Sequence, residues 1–192
     1  EFCNLDRRFK HLRTKTNNLA EALNKGILMC SGDFIARADD SDISKSDRLF
    51  KQIKFLDENK DIDIVGSNVI HKYPIESQNI FFAEKHKDII KSFRIKNSLC
   101  HPTVVFRRKI IEKGFTDNNK FKHCEDLELW LRLINSGFKF HNIQEFLVEK
   151  DQPMTREFSN YLFNMKARIA SSKSPMTIIS ILLTFSFSIL PK

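Results

Sequence analysis

A short stretch with apolar residues at alternate positions, residues 34–44, ends in a cluster of acidic side chains. Its sequence is FIARADDSDIS. The alternation predicts a β-strand that brings Asp39, Asp40 and Asp42 to the carboxyl end of the strand, where ligands bind in open α/β sheets. Crowded carboxylates repel one another unless a cation or basic side chains neutralise them. We therefore expect a site at this strand end where a divalent cation holds a phosphate group.

The segments on either side of this strand have the spacing of amphipathic helices. The apolar face of the first helix consists of Leu19, Ala22, Leu23, Ile27 and Cys30. That of the second consists of Leu49, Ile53 and Leu56. Ser44 and Asp47 have the spacing of a weak capping box before the second helix. A buried strand at 62–70 follows, and this order of strand and helix is typical of sheets with parallel neighbours.

The clearest helix of the chain is predicted at 125–135. Its apolar face consists of Leu127, Trp130, Leu131 and Ile134, with Gly137 as the stop signal. Trp130 is most simply a core residue. The other predicted elements are a strand at 8–14, helices at 83–90 and 109–113, and strands at 104–106 and 138–147. The predicted fold class is α/β, with a mostly parallel sheet flanked by helices.

The length of 192 residues and the hydrophobic content of 41% fit one domain with a buried core. We assign residues 1–150 to this domain and residues 151–192 to a C-terminal tail. The tail contains an apolar segment at 175–191, whose run of about 15 apolar or hydroxylic residues is shorter than the roughly 20 of a membrane-spanning helix. The alternatives are an interfacial anchor, a helix covered by a partner, and the start of a longer span.

The formal net charge of +8 favours an anionic partner, for which phosphorylated substrates, a membrane surface and nucleic acid all qualify. The basic residues are scattered and form no block, so a nucleic-acid binder is the weakest hypothesis. The four cysteines are Cys3, Cys30, Cys100 and Cys124. They form no C-x-x-C pair, which predicts isolated reduced thiols in a cytoplasmic protein.

Several motifs, in order along the chain, resemble the central block of the family 2 glycosyltransferases. They are NLAEALNKGI at 18–27, GDFIAR at 32–37, Ile43-Ser44, Arg48-Leu49, Gln52, HPTVVFRR at 101–108 and EDLELWLRL at 125–133. This resemblance covers about residues 8–147. It implies a GT-A fold, a nucleotide-diphospho-sugar donor, a saccharide or glycolipid acceptor, Mn²⁺ or Mg²⁺, and inversion at the sugar carbon. It also implies enzymes of surface polysaccharide or lipopolysaccharide synthesis. We expect a cytoplasmic protein, with peripheral attachment to the inner face of the cytoplasmic membrane as the alternative that the apolar tail offers.

The resemblance also implies roles for individual residues. We interpret Asp126 as the base that accepts the proton of the acceptor hydroxyl, with Glu125 either supporting Asp126 or binding the acceptor. The remaining roles are donor binding by Asp39, Asp40, Arg37 and Arg48, metal binding by Asp40 and Asp42, and acceptor binding by His101. Each role has a structural alternative: acids favour the first turn of a helix, arginines are common on surfaces, and a histidine before proline shapes turns.

Two features depart from the family pattern. Aligned on Arg37 and Ile43, Ser41 stands where the second acid of the D-x-D motif belongs. Alternatively, Asp40-Ser41-Asp42 is a D-x-D shifted by one residue, with Asp39 contacting sugar or ribose. The first strand of the family and the acid that contacts the nucleotide base also normally precede this block, so we expect an N-terminally truncated domain with an open sheet edge. The alternative function is a catalytically inactive relative that acts as a binding or partner protein.

Overall fold

The computed structural model describes residues 2–121, 124–151 and 168. The helices are α1 (Phe2–Leu5), α2 (Leu19–Met29), α3 (Arg48–Glu58), α4 (His86–Phe93), α5 (Lys109–Glu112) and α6 (Glu125–Asn135). The strands are β1 (Phe34–Ala36), β2 (Ile43–Ser44), β3 (Ile64–Lys72), β4 (Ser77–Ile80), β5 (Val105–Arg107) and β6 (Phe140–Asp151). The apolar segment at 175–191 lies outside the described residues. In the part that is described, none of the helices has both the length and the apolar character needed to cross a bilayer.

The strands form one mixed sheet in the order β1-β5-β3-β6-β2, with β4 paired to β3. The pairing of β3 with β6 is parallel, whereas β1 with β5, β5 with β3, β3 with β4 and β2 with β6 are antiparallel. The α/β class with flanking helices is thus confirmed, but the expectation of a mostly parallel sheet is wrong for these strands. The reason is that β5 inserts between β1 and β3, which run in the same direction but are not neighbours.

The sheet separates two apolar layers because neighbouring residues of a strand contribute to opposite faces. Ile35, Ile64 and Phe106 belong to the larger core, which also contains buried residues of α4 and α6. Val65 and Val105 pack instead with Leu56 of α3. Trp130 of α6 is 1% exposed within the larger core, as predicted.

The turn at His101–Thr103 and the residues just before it are held by three elements at once. The amide of Gln52 on α3 donates to the Thr103 carbonyl at 2.8 Å, and the backbone N–H of Ser67 on β3 donates to the Thr103 hydroxyl at 3.2 Å. The buried amide of Asn142 on β6 donates to the Ser98 carbonyl at 3.0 Å. A side chain at Gly66 would overlap Asn142, so the glycine permits this packing. The turn is therefore fixed relative to the sheet.

Two local predictions near the ends of helices have different outcomes. Asn18 caps α2, because its side-chain oxygen accepts a hydrogen bond from the backbone N–H of Glu21 at 3.3 Å. Asp47 makes no such bond at the start of α3, and the Ser44 hydroxyl accepts a bond from Arg48 instead, so the predicted capping box is wrong.

The strand predicted at 8–14 does not form, since these residues pair with no strand and most are exposed. Alternating apolar residues predict a strand only where a partner strand is present.

Candidate functional site

Three segments that are distant in sequence meet where β1 ends and β5 begins. The backbone N–H of Arg37 donates to the carbonyl of Val104 at 2.9 Å, which joins the loop after β1 to the turn that carries His101. The start of α6 lies close enough for the charge of Asp126 to act on the pKa of His101. The loop after β1 at 37–42, called the acid loop below, therefore lies at one site with His101, the predicted acceptor-binding residue, and Asp126, the predicted base.

The acid loop is neutralised by two cations of the chain itself. Asp39 forms an ion pair with Arg37 and a second one with Lys150, whose Nζ lies 3.0 Å from Oδ2. Burial by itself raises the pKa of Asp39, but the two cations outweigh it and hold this pKa below its ordinary value. Lys150 also lies 3.4 Å from Asp42. It reaches the loop because its strand β6 pairs with β2 directly after the acids.

Asp40, Ser41 and Asp42 differ in how much they are covered. Asp40 and Ser41 are exposed. The side chain of Asp42 is 2% exposed, and burial raises its pKa. Its Oδ1 has no hydrogen-bond partner among the described residues.

The chemistry of these carboxylates fits a hard divalent cation, which prefers oxygen ligands. Among the residues that the structure describes, Asp40 lacks the cations that occupy both oxygens of Asp39, and Asp42 offers a buried oxygen without a partner. The residues present thus fit the shifted register, with Asp40 and Asp42 as ligands. Within the described residues, however, no group of three or more His, Cys, Asp or Glu side chains is arranged to hold a metal.

Arg48 is only 2% exposed and forms hydrogen bonds with residues at both ends of the acid loop. Its guanidinium donates to the Ser44 hydroxyl at 2.8 Å, to the Gln52 side chain at 3.0 Å and to the Arg37 carbonyl at 2.8 Å. These contacts place Arg48 in support of the acid loop, because it begins α3, whose apolar face is buried. Donor binding by Arg48 stays a prediction.

Two carboxylates begin α6, where the helix dipole favours negative charge. Asp126 is half-buried, and its Oδ2 accepts a hydrogen bond from the amide of Asn97 at 3.0 Å. Glu125 is 7% exposed. Burial, and then the charge of Asp126, raise the pKa of Glu125 to about 7. Asp126 is therefore the more accessible of the two acids, and Glu125 is an acid whose protonated form is favoured by burial.

The His101 ring contacts the edge of Trp130, with ring centroids 5.8 Å apart. Burial lowers the pKa of His101, although the nearby Asp126 raises it in part. The imidazole is consequently neutral at neutral pH, with one nitrogen able to donate and one able to accept a hydrogen bond.

A cavity of about 300 Å³ opens beside His101, between α2, β1 and α6. Asp117 lies in its wall and is 5% exposed. Burial, and then the charge of Asp126, raise the pKa of Asp117 to about 6. The side chain of Asn24 on α2 fixes its backbone: Asn24 accepts from the Asp117 N–H at 2.9 Å and donates to the Asp117 carbonyl at 2.8 Å.

Asp117 and Lys150 were not predicted from the sequence. Asp117 is a single acid in a loop, and Lys150 is one of many scattered lysines, so neither stands in a pattern that indicates a site.

Comparison with known families gives one family match and several relatives. The family model described as "Glycosyl transferase family 2" matches residues 1–115. The putative glycosyltransferase EpsE of Bacillus subtilis is 32% identical over 145 residues, which are 73% of this chain and 51% of the relative. The O-antigen biosynthesis glycosyltransferase WbnJ of Escherichia coli is 31% identical over 153 residues, which are 77% of this chain and 58% of the relative.

A solved structure has a similar fold. The mannosyltransferase PcManGT from Pyrobaculum calidifontis, in complex with GDP-Man and Mn²⁺, superposes with a TM-score of 0.58 at 13% identity. The match covers 91% of this chain and 50% of that one. The chain thus spans about half the length of the proteins it matches.

Proposed function

Because this chain belongs to glycosyl transferase family 2, we propose that it forms part of a site that transfers a sugar from a nucleotide-diphospho-sugar to a saccharide or glycolipid acceptor. The proposal rests on one observation, the convergence of the acid loop, the His101 turn and the carboxylates that begin α6. The relatives support the class of reaction, since WbnJ is named for O-antigen synthesis and PcManGT holds a nucleotide sugar. Inversion at the sugar carbon is the family's general outcome.

In this proposal Asp126 is the general base. The acceptor oxygen attacks the sugar carbon and forms a new C–O bond, the bond to the diphosphate breaks, and the hydroxyl proton passes to the Asp126 carboxylate. The hydrogen bond from Asn97 holds the carboxylate in place, and its partial exposure gives an acceptor access. Glu125, with its pKa of about 7, supports this carboxylate through its own protonation state.

The donor is bound by the loop after β1. Arg37 places a positive charge beside the diphosphate, Asp39 contacts sugar or ribose, and Arg48 acts indirectly by bracing the loop. A Mg²⁺ or Mn²⁺ ion held by Asp40 and Asp42 would supply Lewis-acid neutralisation of the leaving diphosphate. His101, as a neutral imidazole, contributes hydrogen bonds to the acceptor.

The test is an assay of nucleoside-diphosphate release from a panel of nucleotide-sugars with Mn²⁺. The wild-type chain is compared with Asp126→Asn and with Asp57→Asn, a matched change on the exposed surface of α3. We expect release by the wild type and the control, and its loss in Asp126→Asn. Full release by Asp126→Asn would overturn the choice of base, and a wild type that releases nothing from any donor would overturn transfer by this chain.

A second candidate, a binding protein without transfer activity, is favoured by the acid loop itself. Lys150 and Arg37 already neutralise Asp39, and Ser41 supplies a neutral hydroxyl where the family has an acid. This candidate predicts that nucleotide-sugars bind without release of nucleoside diphosphate.

The location of the protein is also a proposal. The apolar segment at 175–191 and the net charge of +8 support peripheral attachment to the inner face of the cytoplasmic membrane. Deletion of residues 175–192 should then release the protein from vesicles that contain anionic lipid. Unchanged partitioning would exclude the segment as an anchor.

A further inference from the structure

A closed ring of hydrogen bonds joins the acid loop to the turn that precedes β5. The backbone N–H of Arg37 donates to the Val104 carbonyl at 2.9 Å, and the Arg37 carbonyl accepts from the Arg48 guanidinium at 2.8 Å. Arg48 also donates to the side-chain oxygen of Gln52 at 3.0 Å, and the Gln52 amide donates to the Thr103 carbonyl at 2.8 Å. Thr103 and Val104 are neighbours in the chain, so the ring closes.

Gln52 uses both ends of its amide in this ring, and the side chain is 0% exposed. Its oxygen faces the guanidinium of Arg48, which can only donate. Its nitrogen faces the carbonyls of Thr103 and Val65, at 2.8 and 3.2 Å, which can only accept. The position therefore requires one acceptor and two N–H donors. Among side chains of this length, only glutamine provides both.

The ring reaches both sides of the candidate site. On one side, Arg48 holds the chain before and after the acids, because it donates to the Arg37 carbonyl and to the Ser44 hydroxyl. On the other side, Thr103 is 0% exposed and ends the turn that begins with His101. The ring therefore sets the distance between the residues proposed to bind the donor and the residue proposed to bind the acceptor.

A structural role alone does not explain this arrangement. Arg48 is buried, and the three groups that accept its hydrogen bonds are uncharged. Burial of a charge without a counter-charge is costly. Leu56, Val65 and Val105 form an apolar layer on this face of the sheet, and apolar residues in place of the polar pair would pack with them at little cost. The ring thus indicates a gain in placement that offsets the cost of burial.

We propose that Gln52 is a positioning residue for sugar transfer, which holds the His101 turn at a fixed distance from the acid loop so that acceptor and donor meet in a reactive geometry. The proposal rests on the proposed transferase function. Because Gln52 is fully buried, it acts through Arg48 on one side and Thr103 on the other. Its replacement should slow the transfer step and leave the affinity for the donor nearly unchanged.

The kinetic test compares the full chain with Gln52→Glu and with Gln78→Glu, the same change at an exposed position of β4. Glutamate keeps the acceptor for Arg48 and loses the N–H donors to the turn. Nucleoside-diphosphate release is measured with Mn²⁺, with UDP-N-acetylglucosamine and GDP-mannose as donors and a panel of monosaccharides and disaccharides as acceptors. We expect Gln52→Glu to lower kcat by roughly 10- to 100-fold with the donor KM within about twofold of wild type. An unchanged kcat, whatever the KM, would overturn the proposal.

A second measurement needs no substrate, because Trp130 is the one tryptophan of the chain and its ring lies against His101. Its fluorescence therefore reports where the His101 turn lies. We expect the intensity or wavelength of Trp130 emission to change in Gln52→Glu and to stay unchanged in Gln78→Glu, with equal far-ultraviolet circular dichroism in all three proteins. Equal emission in the three would show that the turn keeps its place without Gln52, and would overturn the proposal.

The two measurements separate this proposal from the proposed function. A wild type that releases no nucleoside diphosphate would overturn transfer by this chain, and Trp130 emission would still decide whether Gln52 holds the turn. If Gln52→Glu does not fold, Gln52→Met takes its place in both measurements. Methionine is uncharged, has a similar length and can make none of the three hydrogen bonds, so the same changes are expected.

Discussion

The acid loop after β1 and the cavity beside α6 are neighbours that share Arg37, yet their acids differ in how far the chain balances their charge. In the loop, Asp39 is held by Arg37 and Lys150, so most of its charge is balanced within the chain. In the cavity wall, Asp117 is buried, and the charge of Asp126 adds to burial in raising its pKa. Asp39 is thus stabilised as a carboxylate, whereas Asp117 is stabilised in its protonated form.

The largest expected effect lies in Asp126, the proposed base at the start of α6. Asp126→Asn should reduce nucleoside-diphosphate release by roughly 100- to 10,000-fold, because the amide cannot accept the acceptor proton. Steady-state assays with Mn²⁺ and excess donor measure it. A loss smaller than about threefold would show that sugar transfer does not depend on the Asp126 carboxylate.

Asp117→Asn should make the protein more stable at neutral pH. Because burial raises the folded-state pKa of Asp117 to about 6 from 3.8, its stabilising contribution is complete below pH 4 and is lost as pH rises through 6. The Asp126 and Glu128 carboxylates raise this pKa further, whereas Arg37 and Arg132 oppose them. The amide of Asn does not ionise and avoids this loss. The free energy of unfolding at pH 7 should therefore increase by at most about 3 kcal/mol in Asp117→Asn.

Urea unfolding at pH 4 and pH 7 measures the difference, with Asp57→Asn as the surface control. The wild type and Asp117→Asn should have nearly equal free energies of unfolding at pH 4. Equal values at pH 7 as well would mean that the Asp117 carboxylate is already satisfied, and the contrast between the two regions would disappear.

Lys150→Met tests whether cations of the chain itself balance the negative charge of the acid loop. Without this amine, Asp39 keeps only Arg37, and the buried carboxylate of Asp42 loses its nearest cation. We expect a loss of about 1–2 kcal/mol in the free energy of unfolding, reduced from the value for a fully buried pair by partial solvent exposure. Mn²⁺ should restore more stability to this variant than to the wild type. An equal effect of Mn²⁺ on both proteins would show that Lys150 and the ion do not compete.

Ser41→Asp should have the smallest effect on stability. It restores an acid between Asp40 and Asp42, which adds repulsion of less than about 1 kcal/mol at this exposed position but also adds a metal ligand. We expect tighter Mn²⁺ binding by calorimetry. Ser46→Asp, an exposed change in the turn between β2 and α3, is the control, and equal Mn²⁺ affinity in the two variants would exclude position 41 as a ligand.

Local features of the fold were predictable from the sequence, and pairings between distant segments were not. The helix predicted at 125–135 forms as α6, because apolar spacing and a C-terminal glycine are local signals. The insertion of β5 between β1 and β3 has no local signal, since strand order depends on partners from the whole chain.

The candidate site likewise contains residues that were predictable from the sequence and residues that were not. Its acids were predicted from motifs in the order of a known family, and the structure brings them together. Lys150 joins the acid loop from 108 residues away, and Asn24 holds Asp117 across 93 residues. No spacing rule relates such residues, so only the folded chain could identify them.

Strand β6 also limits how the chain can tolerate insertions and deletions. It carries Asn142, whose amide donates to the carbonyl of Ser98 just before the His101 turn, and Lys150, which holds the acid loop. The pairing of β6 with β3 shifts register between positions 143 and 148 and is regular from 148 to 151. Because side chains alternate along a regular strand, one residue added or removed between positions 148 and 150 would turn Lys150 to the opposite face of the sheet, whereas the irregular part can absorb such a change as a bulge. We therefore expect homologous chains to vary in length before position 148 and to preserve the spacing from 148 to 150.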